Sequence, residues 1–350
     1  MTNGLGSQRP TTAPQPHGFS SMKWWGLAFV LVWIFHFFAT GLISAYGMNI
    51  VLNAGLNIIL AVSLNLVNGF TGQFSIGHAG FMAVGGYITA VITMTIGRDY
   101  PDLMSHWIGQ NSIFIAALVA GGIGAAGVGY LVGMPSLRLR GDYLAIVTLG
   151  FGEIIRVILL NTDSVGGARG MSGIPNYSNF GLVYSFVVIT IFSIWRIVNS
   201  AHGRVLLAVR EDEVAGEAMG VNTTQAKVRA FAMGAFFAGV AGGLLAHFLQ
   251  ILTPAMFDFN RSFEIIIMCV LGGLGSITGS VIAAVVLTGL REALRGLQEI
   301  THVDLRMIIY SLVLIILMLT RPNGLFGRNE IVDYLPKSWR VKLTGKASRA

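Results

Sequence analysis

The ionisable side chains that interrupt long apolar stretches are the residues of this sequence that could carry chemistry. Glu153 and Arg156 are three residues apart, so on a helix they share one face and can form an ion pair. Such a pair could relay protons, but we favour a structural interpretation in which it locks helices together, because pairing makes burial tolerable. Glu264 lies close to the boundary of its apolar stretch, where it can reach a polar surface.

The histidines give little sign of a metal site or a proton relay. None of His36, His78 and His247 has a second histidine, cysteine or carboxylate at ligand spacing on its own predicted helix. We therefore expect histidines that are satisfied within the core or at an interface. His78 differs because it belongs to a glycine-rich stretch, where unwound backbone and polar groups can line a cavity.

The sequence lacks the residue sets that catalysis needs. No Ser/His/Asp set, Cys–His pair or carboxylate dyad emerges on a shared surface, and the single cysteine, Cys269, excludes a disulfide framework and a cysteine metal site. A Gly-x-x-x-x-Gly-Lys-Ser/Thr loop for nucleotide phosphates is also absent, so any ATP must be hydrolysed by another chain. We predict a protein that is not an enzyme and that carries no metal or cofactor.

The composition is that of a membrane protein. Hydrophobic residues make up 54% of the chain and charged residues only 11%, whereas soluble domains carry about 25% charged residues. Apolar runs of ~20 residues recur from Trp24 to Thr320, which is the length that crosses a bilayer as a helix. The chain has 45 glycines, and those scattered within these runs favour close helix packing in lipid. The predicted fold is an all-α integral membrane protein, a polytopic helical bundle.

The apolar runs define the candidate membrane spans. They are Trp24–Leu42, Gly47–Leu66, Phe74–Ile96, Ile113–Gly133, Tyr143–Leu160, Leu182–Val198, Val228–Leu252, Phe263–Leu290 and Leu305–Leu319. Lysine and arginine concentrate in the connections Pro135–Gly141 and Ser200–Lys227, whereas Gly97–Ser112 and Asn161–Gly181 carry one arginine each. By the positive-inside rule the first pair of connections and both termini are cytoplasmic.

Two cytoplasmic termini require an even number of crossings, so one of the runs must be divided. We predict that residues Leu271–Ser276, which are rich in glycine, split Phe263–Leu290 into two short helices. Because this stretch cannot make two full crossings, the helices would be short, tilted or re-entrant, or would extend into the flanking residues. A comparable break lies at Asn68–Gly80, in a similar place in the first half of the chain. Corresponding breaks indicate an inverted internal repeat with about ten crossings or half-crossings, and a translocation pathway that passes near the breaks. The predicted pathway residues are Gly72, Gln73, Ser75, Gly77, His78, Gly275 and Ser276.

The flanking segments complete the domain organisation. We predict that residues 1–22 form a disordered cytoplasmic tail, residues 23–320 the transmembrane domain and residues 321–350 a basic cytoplasmic tail. The net charge of +7 arises from short loops and this last tail. That distribution is typical of anchoring at the cytoplasmic membrane surface, and no nucleic-acid-binding signature accompanies it.

The longest polar insert, residues 200–227, is the segment most suited to a protein partner. Its Arg210–Val221 run mixes charges with small residues, contains glycine near its end and lies on the predicted cytoplasmic side. A short helix along the membrane face would fit it. Such a helix could pass the movement of a soluble partner to the spans on either side, although a solvated loop has the same composition.

Several blocks of the chain, in order, resemble one family. They are Gly69–Tyr87, Ser136–Phe151, Gly203–Asn222, Leu271–Gly279 and Arg321–Gly327, and the resemblance covers roughly Asn49 to Gly327. The family is that of permease subunits of high-affinity branched-chain amino acid ABC importers, in the M-type of its two paralogues.

The resemblance implies partners and a role for the polar insert. The implied partners are a second homologous permease, two cytoplasmic ATPase subunits and a periplasmic substrate-binding protein, in a bacterial inner membrane. The segment matching Glu211–Gly220 is implied to be the coupling helix that docks on the ATPase. Its candidate contact residues are Glu211, Asp212, Glu213, Glu217, Ala218 and Gly220. The Glu-Ala-Ala form of many ABC permeases is Glu217-Ala218-Met219 here.

Other functions remain open from the sequence. A related importer for urea or short amides shares these motifs, and ligand titration of its binding protein would distinguish it. An ATP-independent secondary transporter or channel would transport alone in liposomes. A membrane enzyme would need a polar reactive cluster, which the sequence does not provide.

Overall fold

Helices make up most of the described part of the chain. A computed structural model describes residues 20–102, 106–139 and 141–301, together with 309, 312, 315, 316, 319, 320, 324–327 and 330. Most of the predicted tails 1–22 and 321–350 and of the predicted last span, Leu305–Leu319, lies outside the described residues. Residues 20–22, predicted as part of the tail, already belong to the first helix.

The helices follow one another along the chain with short connections. They are α1 Ser20–Leu42, α2 Ala45–Asn65, α3 His78–Asp99, α4 Trp107–Ser136, α5 Asp142–Leu160, α6 Phe180–Val198, α7 Ala201–Glu211, α8 Glu213–Ala218, α9 Thr223–Leu249, α10 Phe259–Gly272 and α11 Ile277–Thr301. A π-helical turn, Leu66–Phe70, extends α2. Two short strands, β1 Met171–Ser172 and β2 Ile251–Leu252, pair antiparallel and tie the α5–α6 connection to the end of α9.

The polytopic all-helical architecture predicted from the apolar runs is confirmed. Among the described residues, seven helical stretches are long and apolar enough to cross a membrane. They are Ala45–Phe70, His78–Asp99, Trp107–Ser136, Asp142–Leu160, Phe180–Val198, Thr223–Leu249 and Ile277–Arg295. The first of them is 83% buried inside the protein, whereas only 17% of the span in α5 is buried. The bundle is therefore built around α2, with α5 at its surface.

The predicted glycine break in Phe263–Leu290 is present, but the two helices differ in length. Helix α10 has 14 residues and ends at Gly272, and α11 begins at Ile277 and has 25 residues. Both helices extend into the flanking residues, as one of the predicted alternatives has it, because α10 begins at Phe259 and the sequence of α11 continues past Leu290 to Thr301. In the first break, α3 begins at His78 and not at Phe74, because Thr71–Gly77 is non-helical.

Close backbone packing joins α3, α4 and α9. A Cβ atom added to Gly86 would lie 3.1 Å from the carbonyl oxygen of Gly242, and one added to Gly239 would lie 3.3 Å from Gly122 Cα. The ring of Phe236 also packs directly on Gly122, where a Cβ atom would lie 2.8 Å from Phe236 Cε2. Glycines thus let these three helices approach more closely than larger side chains would allow, as their abundance in the apolar runs predicts.

Candidate functional site

The two glycine-rich breaks meet inside the protein, and Asn65 joins them. This residue is the last of α2, it is fully buried, and its Nδ2 donates to Ser276 O at 2.7 Å and to Ser280 Oγ at 2.8 Å. Its Oδ1 accepts from the backbone N–H of Gly275 at 2.8 Å. One amide therefore satisfies three polar groups of the second break and the first turn of α11, which would otherwise be costly to bury.

The first break is an ordered loop. Asn68 Oδ1 accepts from Ser75 N at 3.1 Å, and Asn68 Nδ2 donates to Ser75 O at 3.2 Å, so one side chain closes the loop. Ile76 N donates to Thr148 Oγ1 of α5 at 3.1 Å. His78 is buried and hydrogen-bonds through Nε2 to Ser63 Oγ at 2.9 Å. These bonds satisfy polar groups that a break in a membrane helix exposes.

The second break is fixed by two glycines and by an acid from the far end of the chain. Gly273 and Gly275 have φ angles of 114° and 96°, a backbone conformation that disfavours other residues. Glu330 Oε1 accepts from Ile277 N at 2.8 Å, and Glu330 Oε2 accepts from Thr278 N at 3.0 Å. This carboxylate caps the start of α11, and no motif in the sequence indicated it.

Arg210, at the end of α7, contacts both breaks. Its Nη1 donates to Gly69 O at 3.0 Å. A Cβ atom on Gly275 would lie 2.9 Å from Nη1, and one on Gly72 would lie 2.8 Å from Arg210 Cγ. The breaks therefore lie at the same end of the bundle as the polar insert, and α7 touches them directly.

The predicted short helix in the polar insert is α8. Asp212 is its N-cap, with Oδ1 accepting from Val214 N at 2.9 Å and from Ala215 N at 3.1 Å. Gly220 follows the helix with a φ of 82°, which allows the chain to turn into α9. Asp212 and Gly220, predicted only as candidate contacts to the ATPase, therefore also have structural roles at the two ends of α8.

Two of the predicted contact acids bind residues at the start of α9, although Glu213 is partly exposed and Glu217 is exposed. Glu213 Oε1 accepts from Lys227 Nζ at 2.6 Å, and the Lys227 side chain is only 1% exposed. Glu217 Oε1 accepts from Thr223 Oγ1 at 2.7 Å. These acids bind α8 to the start of α9, so a movement of α8 is passed to a membrane-spanning helix.

The exposed surface of α8 is more apolar than the sequence suggested. Val214 and Ala218 in α8 and Met219 directly after it are exposed, Met219 by 84%, together with the acids Glu217 in α8 and Glu211 at the end of α7. The sequence analysis singled out Glu211 and Ala218 but missed Val214 and Met219. Their exposure could not be read from the sequence, because α8 is too short to show which face it buries.

The predicted pathway residues fall into two groups. Gly72 is exposed and Gln73 is partly buried, with its Nε2 donating to Thr71 O at 3.3 Å. The others are buried where the breaks pack, and they are Ser75, Gly77, His78, Gly275 and Ser276. A Cβ atom on Gly77 would lie 3.0 Å from the carbonyl carbon of Thr148. The structure therefore brings the two predicted breaks together as one packed unit.

Of the other ionisable residues singled out from the sequence, Glu153, Arg156 and His247 have partners, whereas the buried His36 Nδ1 has no hydrogen-bond partner among the described residues. Arg156 Nε donates to Glu153 Oε2 at 2.7 Å, but both side chains are about one-third exposed on the surface of α5. The expectation that this pair locks helices is wrong, because both residues lie on a largely unburied helix. His247 is a core histidine, bonded to Thr93 Oγ1 and Pro175 O.

Comparison with known proteins identifies the family of this chain. A family model described as "Branched-chain amino acid transport system / permease component" matches residues 46–318. The high-affinity branched-chain amino acid transport system permease protein LivM of Salmonella typhimurium is 35% identical over 292 residues, covering 73% of this chain and 64% of the relative. The LivM protein of Escherichia coli K12 matches with the same identity and coverage.

A more distant similarity extends to a second set of permeases. The LivH permease of Salmonella typhimurium is 27% identical over 282 residues, covering 75% of this chain and 88% of the relative. No solved structure matches this chain. The chain spans about two-thirds, 64%, of the length of the LivM relatives. It is a multi-pass membrane protein, and it belongs to the family of permease components of branched-chain amino acid transport systems.

Proposed function

We propose that this chain is one permease subunit of an ABC importer that moves branched-chain, aliphatic amino acids across the inner membrane of a bacterium. Its partners are a second, homologous permease, two cytoplasmic ATPase subunits and a periplasmic substrate-binding protein. The family match and the branched-chain amino acid transport named for the LivM and LivH relatives support this substrate class over urea or short amides. The chain supplies the membrane path, and its ATPase partners supply the energy.

The observation that carries this proposal is the connection from α8 to the breaks. Helix α8 presents an exposed apolar surface with acids at its edge, which suits docking of a soluble protein. Its buried side is joined to α9 by the Glu213–Lys227 ion pair. Arg210, one residue before the end of α7, reaches the backbone of the first break. A displacement of α8 would therefore be transmitted to both breaks through these contacts, with no flexible linker between them.

Alternating access follows from this connection. ATP binding by the partners moves α7 and α8, and Arg210 and Lys227 pass that movement to the breaks and to α9. The hydrogen bonds of Asn65 keep the two breaks together, so they shift as one unit. The pathway opens toward one side while it closes toward the other, as a two-state packed bundle allows. In this conformation Gly72 is exposed and Gln73 is partly exposed.

The orientation of the chain follows from the same proposal. With α8 docked on a cytoplasmic ATPase, the polar insert 200–227 and both terminal tails are cytoplasmic, in agreement with the distribution of lysine and arginine. Labelling of an Ala215→Cys variant tests this placement in intact cells. Reaction with a membrane-impermeant maleimide only after the cytoplasmic side is opened supports the proposal, and reaction from outside contradicts it.

Reconstitution tests the transport activity. The chain is co-expressed and purified with its homologous permease, the ATPases and the binding protein, and ATP-driven uptake of radiolabelled leucine into proteoliposomes is measured. Uptake that requires ATP and is unaffected by excess urea supports the proposal. Uptake by this chain alone, driven by an ion gradient and indifferent to ATP, would establish a secondary transporter instead.

A further inference from the structure

Helix α5 is the least buried of the seven candidate spans among the described residues, and yet it carries an ion pair. Only 17% of this span is buried inside the protein, whereas the other six are buried by 39–83%. The Glu153 side chain is 35% exposed and the Arg156 side chain is 29% exposed. In the part of the chain that the structure describes, the bond between them is the one polar contact of either charged group.

The ion pair lies within the span and not at its end. At ~1.5 Å of rise per residue, Glu153 is about 10 Å along the helix from Leu160, where α5 ends. Arginine can extend its long side chain toward the membrane surface, but the shorter glutamate cannot cross that distance. Ionisable side chains at such a depth almost always face protein or a water-filled cavity. We therefore do not expect this side of α5 to face lipid.

A continuous exposed face of α5 runs beside the ion pair. Its members recur every three or four residues, so they form one stripe along the helix. They are Tyr143, Ile146, Gly150, Ile154, Val157 and Ile158, which we call the outer face of α5. At the centre of this face, a Cβ atom added to Gly150 would have nothing within 4 Å. A second helix can therefore approach closely there.

The opposite face of α5 packs on the first break. Thr148 Oγ1 accepts from Ile76 N at 3.1 Å. A Cβ atom added to Gly80, in the first turn of α3, would lie 2.9 Å from Gly152 Cα. Helix α5 is thus held against the first break on one side, and any protein that covers the outer face is separated from that break by this single helix.

We infer that the outer face of α5, with the Glu153–Arg156 pair at its edge, is the surface on which the second, homologous permease packs; this inference rests on the proposed function. The partner excludes lipid from the ion pair. It also supplies polar groups for the N–H donors of Arg156, because the bond to Glu153 uses one of the five that a guanidinium carries.

The homology of the two permeases favours this partner. The chain is similar to both LivM and LivH permeases, so a homologous subunit can present an equivalent helix across a pseudo-twofold axis. A shift of the first break would then reach the second subunit through α5 alone. The other candidate occupants are lipid, a second copy of this chain and another segment of the same chain.

Photocrosslinking in the purified importer complex distinguishes these occupants. The photoreactive residue p-benzoylphenylalanine is placed at Ile154, which is 52% exposed on the outer face of α5. The matched control places it at Ile123, which is 61% exposed on α4, a helix without charged side chains. Both complexes are irradiated in nanodiscs, and the crosslinked peptides are identified by mass spectrometry. We expect position 154 to crosslink to the second permease and position 123 to crosslink mainly to lipid.

A bulky substitution at the centre of the outer face provides a second measurement. We expect Gly150→Trp to weaken the association of the two permeases about tenfold, because the indole occupies the space into which the partner helix packs. Gly127→Trp is the control, at an exposed glycine of α4 where an added Cβ also has nothing within 4 Å. Both variants should insert like the wild type, and only Gly150→Trp should lose co-purification of the second permease.

The outcomes separate this surface from the proposed function. Crosslinks from position 154 to lipid, to a second copy of this chain or within the chain overturn the surface, and so does equal association of the Gly150→Trp and Gly127→Trp variants. ATP-driven leucine uptake by the wild-type complex would leave the proposed function standing in those cases. If no homologous permease co-purified with the wild-type chain, the proposed function itself would be contradicted.

Discussion

Arg210 Nη1 donates to the carbonyl oxygen of Gly69 at 3.0 Å, across 141 residues of sequence. The bond links the helix that precedes α8 to the first break, and the same guanidinium lies against Gly275 of the second break. Arg210 Nη2 also donates to Glu211 at 3.0 Å. A cationic side chain with a fixed planar geometry is therefore the direct contact between the polar insert and the centre of the bundle.

Replacing Arg210 should uncouple transport from ATP hydrolysis. In Arg210→Gln the bond to Gly69 O is lost, which removes about 1.5–3 kcal/mol of charge-assisted hydrogen bonding between α7 and the first break. We expect leucine uptake to fall about tenfold while the ATPase activity of the complex persists. Arg204→Gln, on the exposed face of the same helix, is the control and should transport normally. If both variants took up leucine equally well, Arg210 would not take part in coupling transport to ATP hydrolysis.

The Glu213–Lys227 pair should be a stability requirement. Glu213→Gln leaves the buried ammonium of Lys227 without its anion, which costs about 3 kcal/mol. We expect a lower melting temperature of the purified complex, and partial recovery in the double variant Glu213→Gln/Lys227→Met, because the unpaired charge is then removed. Glu211→Gln, at an exposed acid, is the control. A single variant as stable as the wild type would show that the pair contributes little.

The surface of α8 should govern assembly without affecting the fold. Met219 is 84% exposed, so Met219→Glu changes only what a partner meets. We expect the variant to insert and melt like the wild type but to lose co-purification with the ATPase subunits, since an apolar contact is replaced by a charge. Thr224→Glu, an exposed position at the start of α9, is the comparison. If the Met219→Glu variant still co-purified with the ATPase subunits, the docking surface would have to lie elsewhere on the chain.

Gly77 should tolerate no side chain. A methyl group there would lie 3.0 Å from the carbonyl carbon of Thr148, which is backbone and cannot turn aside. Overpacking of this kind costs about 1–3 kcal/mol, so Gly77→Ala should lower thermal stability and leucine uptake together, and Gly77→Leu should abolish uptake. Gly127→Ala is the matched control, because nothing lies within 4 Å of its added Cβ. Unchanged uptake in Gly77→Leu would make this position an ordinary packing contact.

Much of the fold could be predicted because the relevant signals are local. A run of apolar residues long enough for the bilayer specifies a helix, and glycines at Leu271–Ser276 interrupt one, whatever the rest of the chain does. The candidate site was predicted only in outline. The breaks and the polar insert were found, and the contacts of Glu213 and Glu217 with α9 were not foreseen, because they join α8 to another helix.

The sequence by itself determined that this chain is a multi-pass helical membrane protein with two interrupted spans and one long polar insert, because each of these features depends on neighbouring residues. Only the tertiary structure decided that Asn65 satisfies the second break, that Arg210 reaches both breaks, and that Glu264 is shared by two arginines. These contacts join residues far apart in sequence. Their distances are set by how the helices pack, which no local pattern of residues specifies.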